Sequence, residues 1–226
     1  MLATSVLALA LAAPAQDPPK AKPAELRFGT PANSLYYWPV NVLTSPDVQK
    51  ELKITKGQLA KLETVRAELD KRVQKGFTLP IAKMDAYYME LGGWADKQLA
   101  ALVTAEQLPR YRQIVWQAME HVDRVPGMAA NPAFAQAIGM SAEQLKRAQK
   151  VRADATAAYM RLARANPGGN AIPPGGDKVL ADADAAVLKL LTAEQKKAWN
   201  DQLGEPFQGT IYFIPGVPPF KAPARK

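Results

Sequence analysis

Ile54-Thr55-Lys56-Gly57-Gln58-Leu59 recurs in kind as Val103-Thr104-Ala105-Glu106-Gln107-Leu108, Met140-Ser141-Ala142-Glu143-Gln144-Leu145 and Leu191-Thr192-Ala193-Glu194-Gln195-Lys196. Each has an apolar residue, then Thr or Ser, then Gln three positions on. This is the pattern of a helix start: the hydroxyl accepts from the free amide of the Gln, and the Gln side chain accepts from the amide of the Thr or Ser. In three of the four a Leu follows the Gln, supplying the second half of a hydrophobic staple. The pattern predicts Thr55, Thr104, Ser141 and Thr192 as N-caps, each opening a helix.

The four starts fall into two pairs. Placed on Asn131-Pro132-Ala133-Phe134, the segment Ser45-Pro46-Asp47-Val48 brings Leu52 onto Ile138, Thr55 onto Ser141 and Val65-Arg66-Ala67-Glu68 onto Val151-Arg152-Ala153-Asp154. Thr104 then corresponds to Thr192 with two further residues inserted, which the Pro/Gly-rich stretch from Asn166 to Gly176 accommodates. A repeat this long reads as one duplicated helical unit, with residues 45–112 lying over 131–200. Apolar residues recur at helical spacing through Leu59, Leu62, Val65, Leu69 and Val73, and again through Leu145, Ala148, Val151, Ala155, Tyr159 and Leu162. Further helices are expected over about 81–101, bent at Gly92-Gly93, and over about 178–190.

The expected fold is therefore all-α: two duplicated helical-hairpin units, each followed by a short capped helix, between irregular Pro- and aromatic-rich tails. The divisions are a signal peptide over 1–15, an N-terminal arm over 16–44, unit 1 over 45–125, unit 2 over 126–203 and a C-terminal tail over 204–226. Within the tails only Thr210-Ile211-Tyr212-Phe213-Ile214 reads as extended, either as a ribbon with Leu35-Tyr36-Tyr37-Trp38 or as part of an irregular cover. The last residues, 218–226, read as disordered.

Residues 1–15 hold an uncharged apolar stretch ending in Ala13-Pro14-Ala15, the small-x-small pattern of a signal peptidase site, with cleavage before Gln16. The apolar run is too short for a bilayer, so no transmembrane span is expected. The implied location is periplasmic or secreted. Cysteine is absent, which removes disulfides and thiolate chemistry. The net charge of +8 is spread among alternating acidic residues, the pattern of a solvated face. With export and no recognition motif, nucleic acid is not an expected partner.

Candidate chemistry is sparse. The single histidine, His121, has only Glu120 and Asp123 near it, too few donors at the wrong spacing for a metal site. Ser34, Ser45 and Ser141 stand in no nucleophile motif. Asp177 sits at a helix start, where the dipole favours negative charge, while Asp182 and Asp184 point to different sides. Gly168-Gly169 and Gly175-Gly176 lack the Lys-Ser/Thr of a phosphate loop. The aromatics Tyr87, Tyr88, Trp94, Tyr111, Trp116, Tyr159 and Trp199 read as core. No catalytic, cofactor-binding or metal residue is assigned, no cofactor is expected, and no binding face is defined.

Exported, helical, cysteine-free and carrying Leu191-Thr192-x-x-Gln195, the chain resembles the LTxxQ-motif periplasmic family of the Spy and CpxP type. Ile54, Val103 and Met140 stand in place of the family's Leu, and Ser141 in place of its Thr. The resemblance implies an all-α cradle, assembly as a homodimer, and a non-enzymatic role as an ATP-independent chaperone or envelope-stress protein acting on unfolded or envelope proteins. Two other classes suit the same sequence: a scaffolding protein of the cell envelope, and a periplasmic metal sensor or resistance protein, for which Met84, Met89, Met119, Met128, Met140 and Met160 offer soft ligands.

Overall fold

The computed structural model describes residues 38–166, 172–212 and 220–221. Residues 1–37, 167–171, 213–219 and 222–226 lie outside this set. The described residues form nine α-helices and one two-stranded ribbon, so the class is all-α.

Helix α1 (Trp38–Val42) precedes two series. The first is α2 (Pro46–Glu51), α3 (Lys56–Gly76), α4 (Ile81–Leu102) and α5 (Leu108–Ala129). The second is α6 (Pro132–Ala137), α7 (Ala142–Ala165), α8 (Gly176–Leu188) and α9 (Ala193–Leu203). The order is the same in both, but the lengths are not: α8 and α9 have 13 and 11 residues where α4 and α5 each have 22. The short helix expected after Thr104 is thus a long one. It contributes more buried apolar residues than any other described helix, Tyr111, Ile114, Val115, Trp116, Ala118 and Met119 among them.

α5 packs on α1, α6, α7, α8 and α9, so one continuous apolar cluster joins both series. At its centre Phe134 of α6 lies edge-on between Trp116 (ring centroids 5.0 Å) and Trp199 of α9 (4.7 Å). The indole of Trp199 donates to Glu120 Oε1 at 2.9 Å, which satisfies its polar edge without breaking the stack. By contrast α3 and α4 pack principally on each other.

The bend expected at Gly92-Gly93 is replaced by one in α5. Arg124 adopts φ 56°, ψ −174°, two residues before Pro126. Pro126 lacks the N–H that would continue the ladder to Val122, and its ring crowds the preceding turn. The boundary drawn between residues 125 and 126 falls inside α5, beside this kink.

The C-terminal tail is partly ordered. β1 (Thr210–Ile211) pairs antiparallel with β2 (Phe220–Lys221), matching Thr210 to Lys221 and Ile211 to Phe220. Among the described residues the ribbon therefore forms within the tail; of the alternative partners 35–38 only Trp38 is described, and it begins α1. Phe220 and Lys221 are paired instead of disordered, because a neighbouring extended segment satisfies their backbone groups.

Candidate functional site

All four Thr/Ser-x-x-Gln boxes are closed. The Gln amides reach the hydroxyls of Thr55, Thr104, Ser141 and Thr192 at 3.2–3.3 Å, and each returning carboxamide oxygen meets the Thr or Ser amide at 2.9–3.0 Å. Thr104 departs from expectation in one respect. The α-helix after it begins only at Leu108, because Pro109 has no N–H to bond Ala105, and residues 105–107 form a turn.

The glutamines do more than cap. Gln58 Nε2 donates to Leu102 O at 2.8 Å and Gln107 Oε1 at 2.7 Å, while Gln107 Nε2 donates to Leu52 O at 2.8 Å. In the second series Gln144 Nε2 donates to Leu190 O at 2.7 Å and Gln195 Oε1 at 2.8 Å, and Gln195 Nε2 to Gly139 O at 2.8 Å. Each pair of motifs therefore meets face to face as a reciprocal amide bracket. The bracket ties the start of one helix to the end of another from the same hairpin. Lys53 and Gly139, which align when the two sequence segments are overlaid, both take positive φ beside it (52° and 73°).

A second polar assembly holds the C-terminal segment. Gln117, buried within α5, donates to Leu203 O at 2.6 Å and Glu205 O at 2.8 Å, and accepts from Phe207 N at 2.8 Å. Ser45 Oγ accepts from Tyr212 N at 2.7 Å and Asp47 Oδ2 from Thr210 N at 2.8 Å. Asn131, aligned with Ser45, spends its side chain on capping α6, through Ala133 N and Phe134 N. Gly204 has positive φ (58°), and a Cβ there would collide with the Gln113 carboxamide. Sequence reading missed these residues, since a lone Gln in an apolar run carries no motif.

The third feature is a cavity of about 290 Å³ where the kinked end of α5 meets α7 and α8. Arg124 pairs with Asp184, placing both Nε (3.2 Å) and Nη2 on the same oxygen, Oδ2. Asp184 Oδ1 is buried and has no hydrogen-bond partner among the described residues. A bare buried acceptor costs about 1–3 kcal/mol, and the Arg124 backbone conformation another ~1–3 kcal/mol. Across the cavity Arg152 approaches Asp123 at 3.7 Å. Burial raises the Asp123 carboxyl above its usual range, opposed by the pull of Arg152.

The sequence candidates are dispersed. His121 lies exposed on α5, and among the described residues no group of three or more His, Cys, Asp or Glu is placed to hold a metal ion. Asp182 pairs with Lys178 at 2.6 Å on the surface of α8, and Asp177 stands in its first turn. Only Asp184 of the three lines the cavity. Ser45 and Ser141 serve backbone amides, and Ser34 lies outside the described residues. Met119 and Met128 are core residues, while Met89 and Met160 are exposed on different helices. Tyr88, Tyr111, Trp116 and Trp199 are buried as expected, while Tyr87, Trp94 and Tyr159 are half-buried. Gly175 (φ 83°) caps α8, and a Cβ on Gly176 would meet Ile172 at 2.8 Å, so this pair is structural. No described helix is long and apolar enough to cross a membrane. No protein-family model matches the chain, no curated protein is detectably similar to it, and no solved structure matches its fold.

Proposed function

We propose that the protein is an exported, non-enzymatic holder of unfolded or envelope proteins, of the LTxxQ type, built from two copies of one helical unit and released from its leader before Gln16. The observation that carries this reading is the free end of the α3–α4 hairpin. Its base is fixed by the Gln58–Gln107 bracket. At the other end, roughly 30 Å away by the rise of a 21-residue helix, Phe77 is 51% exposed and Ile81 88% exposed. Lys71 and Lys75, near the end of α3, and Lys83, in the first turn of α4, are all exposed. Large apolar side chains in water beside like-signed charge suit capture of segments that are apolar and acidic.

The test is light scattering of an acidic client unfolding in the presence of the mature chain, without ATP. Stoichiometric suppression is expected, weakening as salt rises, because exposed charges are screened beyond about 10 Å at 0.1 M. Replacing Phe77 and Ile81 together by Ser should abolish suppression while leaving the melting temperature unchanged. No suppression by the parent at either salt concentration would favour the scaffolding reading instead.

A further inference from the structure

The turn that joins α3 to α4 leaves no backbone donor bare across residues 77–80. Phe77 N donates to Val73 O at 3.3 Å, Thr78 N to Lys75 O at 3.1 Å and Leu79 N to Gly76 O at 3.1 Å, and Pro80 has no N–H to place. The Thr78 hydroxyl also donates to Lys75 O, at 2.8 Å. Donors satisfied within the turn can leave water without the usual penalty. Nor can the turn fold its apolar side chains inward. Gly76 is buried with the Tyr88 hydroxyl so close that a Cβ would meet it at 2.5 Å. The Tyr87 hydroxyl donates to Arg72 O at 2.9 Å. α4 thus closes on α3 next to Phe77, and Phe77 and Ile81 are left in water. The charge around them has one sign: residues 71–84 hold four cations and no acid. Arg72 is spent on Glu68 at 2.7 Å and on the face of Trp94 at 4.5 Å, while Lys71, Lys75 and Lys83 are exposed. Lys75 and Lys83 each stand two residues outside residues 77–81, and Lys71 lies one turn before Lys75 on the same face of α3. Long lysine stems let ammonium groups rest at the level of lipid phosphates while apolar neighbours go deeper.

We propose that the tip of the α3–α4 hairpin docks on an anionic lipid surface, with Phe77 and Ile81 entering the boundary of the acyl chains and Lys71, Lys75 and Lys83 meeting the lipid phosphates. Docking of this kind does not rest on the holding of clients and is measured with no client present. Residues 16–226 are floated with vesicles of phosphatidylcholine alone, or of phosphatidylcholine and phosphatidylglycerol in a two-to-one ratio. Binding to the anionic vesicles should be roughly tenfold tighter or more, and should weaken as salt rises. Near such a surface each lysine is worth about fivefold in affinity, so replacing Lys71, Lys75 and Lys83 together by Gln should weaken binding on the order of a hundredfold. Phe77→Ser with Ile81→Ser should weaken it by roughly tenfold or more. Insertion is read directly in Ile81→Trp, whose fluorescence in excess of the parent's should shift to the blue on binding and be quenched by lipids brominated along the acyl chain. Capture by the overall charge of +8 would survive the serine substitutions and leave that indole unquenched, and would overturn the proposal. So would equal binding to the two vesicle sets, binding to neither, or a lysine variant that binds as tightly as the parent. Should the serine or glutamine variant not fold, quenching in Ile81→Trp decides alone.

Discussion

Glutamine, never glutamate, closes all four boxes, although Glu is an equally good partner in an isolated capping box and stands one residue earlier in three of them. The bracket explains the choice. Gln58 needs an acceptor for Thr55 N and a donor for Leu102 O and Gln107 Oε1, and only a carboxamide has both. Gln58→Glu should therefore destabilise by about 1–3 kcal/mol, the cost of leaving a buried carbonyl without its donor. Thr55→Ala, which removes a cap alone, should cost about 0.5–2 kcal/mol. Chemical denaturation of both variants checks this; if the Gln58→Glu protein were as stable as the parent, the bracket would carry no energy. Lys53 supplies another residue-scale prediction. Its left-handed backbone costs ~1–2 kcal/mol and Gly returns ~0.5–1 kcal/mol of that as extra chain entropy, so Lys53→Gly should stabilise by about 0.5–1 kcal/mol, read from the same denaturation curves. The second series already has Gly139 at the aligned position.

At the scale of the element, the kinked end of α5 holds a carboxyl that titrates unusually. Burial raises Asp123 above the value of the unfolded chain, about 4, so the native state binds the extra proton more tightly. The stability this contributes is complete below about pH 4 and is lost as pH rises through the raised value. Asp123→Asn should consequently melt higher than the parent at pH 7, with the gain shrinking as pH falls to 4. Thermal melts of both proteins at the two values measure it. The helix itself was legible from its capping box and apolar stripe, but its length and its kink were not. Val125-Pro126-Gly127 reads as an end to a helix. The chain does leave helical φ/ψ at Arg124, next to that signal, and what the signal does not show is that helical turns resume beyond it to Ala129, where Pro126, Met128 and Ala129 are buried. The bend expected at Gly92-Gly93 failed for the complementary reason: glycine permits a bend without requiring one.

For the whole molecule, element order and class were legible because they are written in local periodicity, while the cavity, Gln117 and the tail contacts depend on residues far apart in the chain. Gln117 reaches Phe207 and Ser45 reaches Tyr212, pairings that no spacing rule connects. The same wiring makes the two halves inseparable. A fragment of residues 126–203 lacks Trp116, Glu120, Asp123 and Arg124, the α5 partners of Phe134, Trp199, Arg152 and Asp184, so it should show no cooperative thermal transition by circular dichroism, whereas residues 38–226 should retain one. A cooperative melt of the shorter fragment would show that the second half folds without α5.

The reciprocal glutamine pairs are made of groups that neither gain nor lose protons and carry no net charge. A protein exported as proposed meets surroundings whose acidity and salt are set by the outside world. Fastened by carboxamides instead of ion pairs, the bases of both hairpins should keep their hydrogen bonds through such swings. Sensitivity to the medium would then fall on charged groups elsewhere, the lysine-rich tip and Asp123 at the kink among them, and the brackets themselves would be indifferent to it.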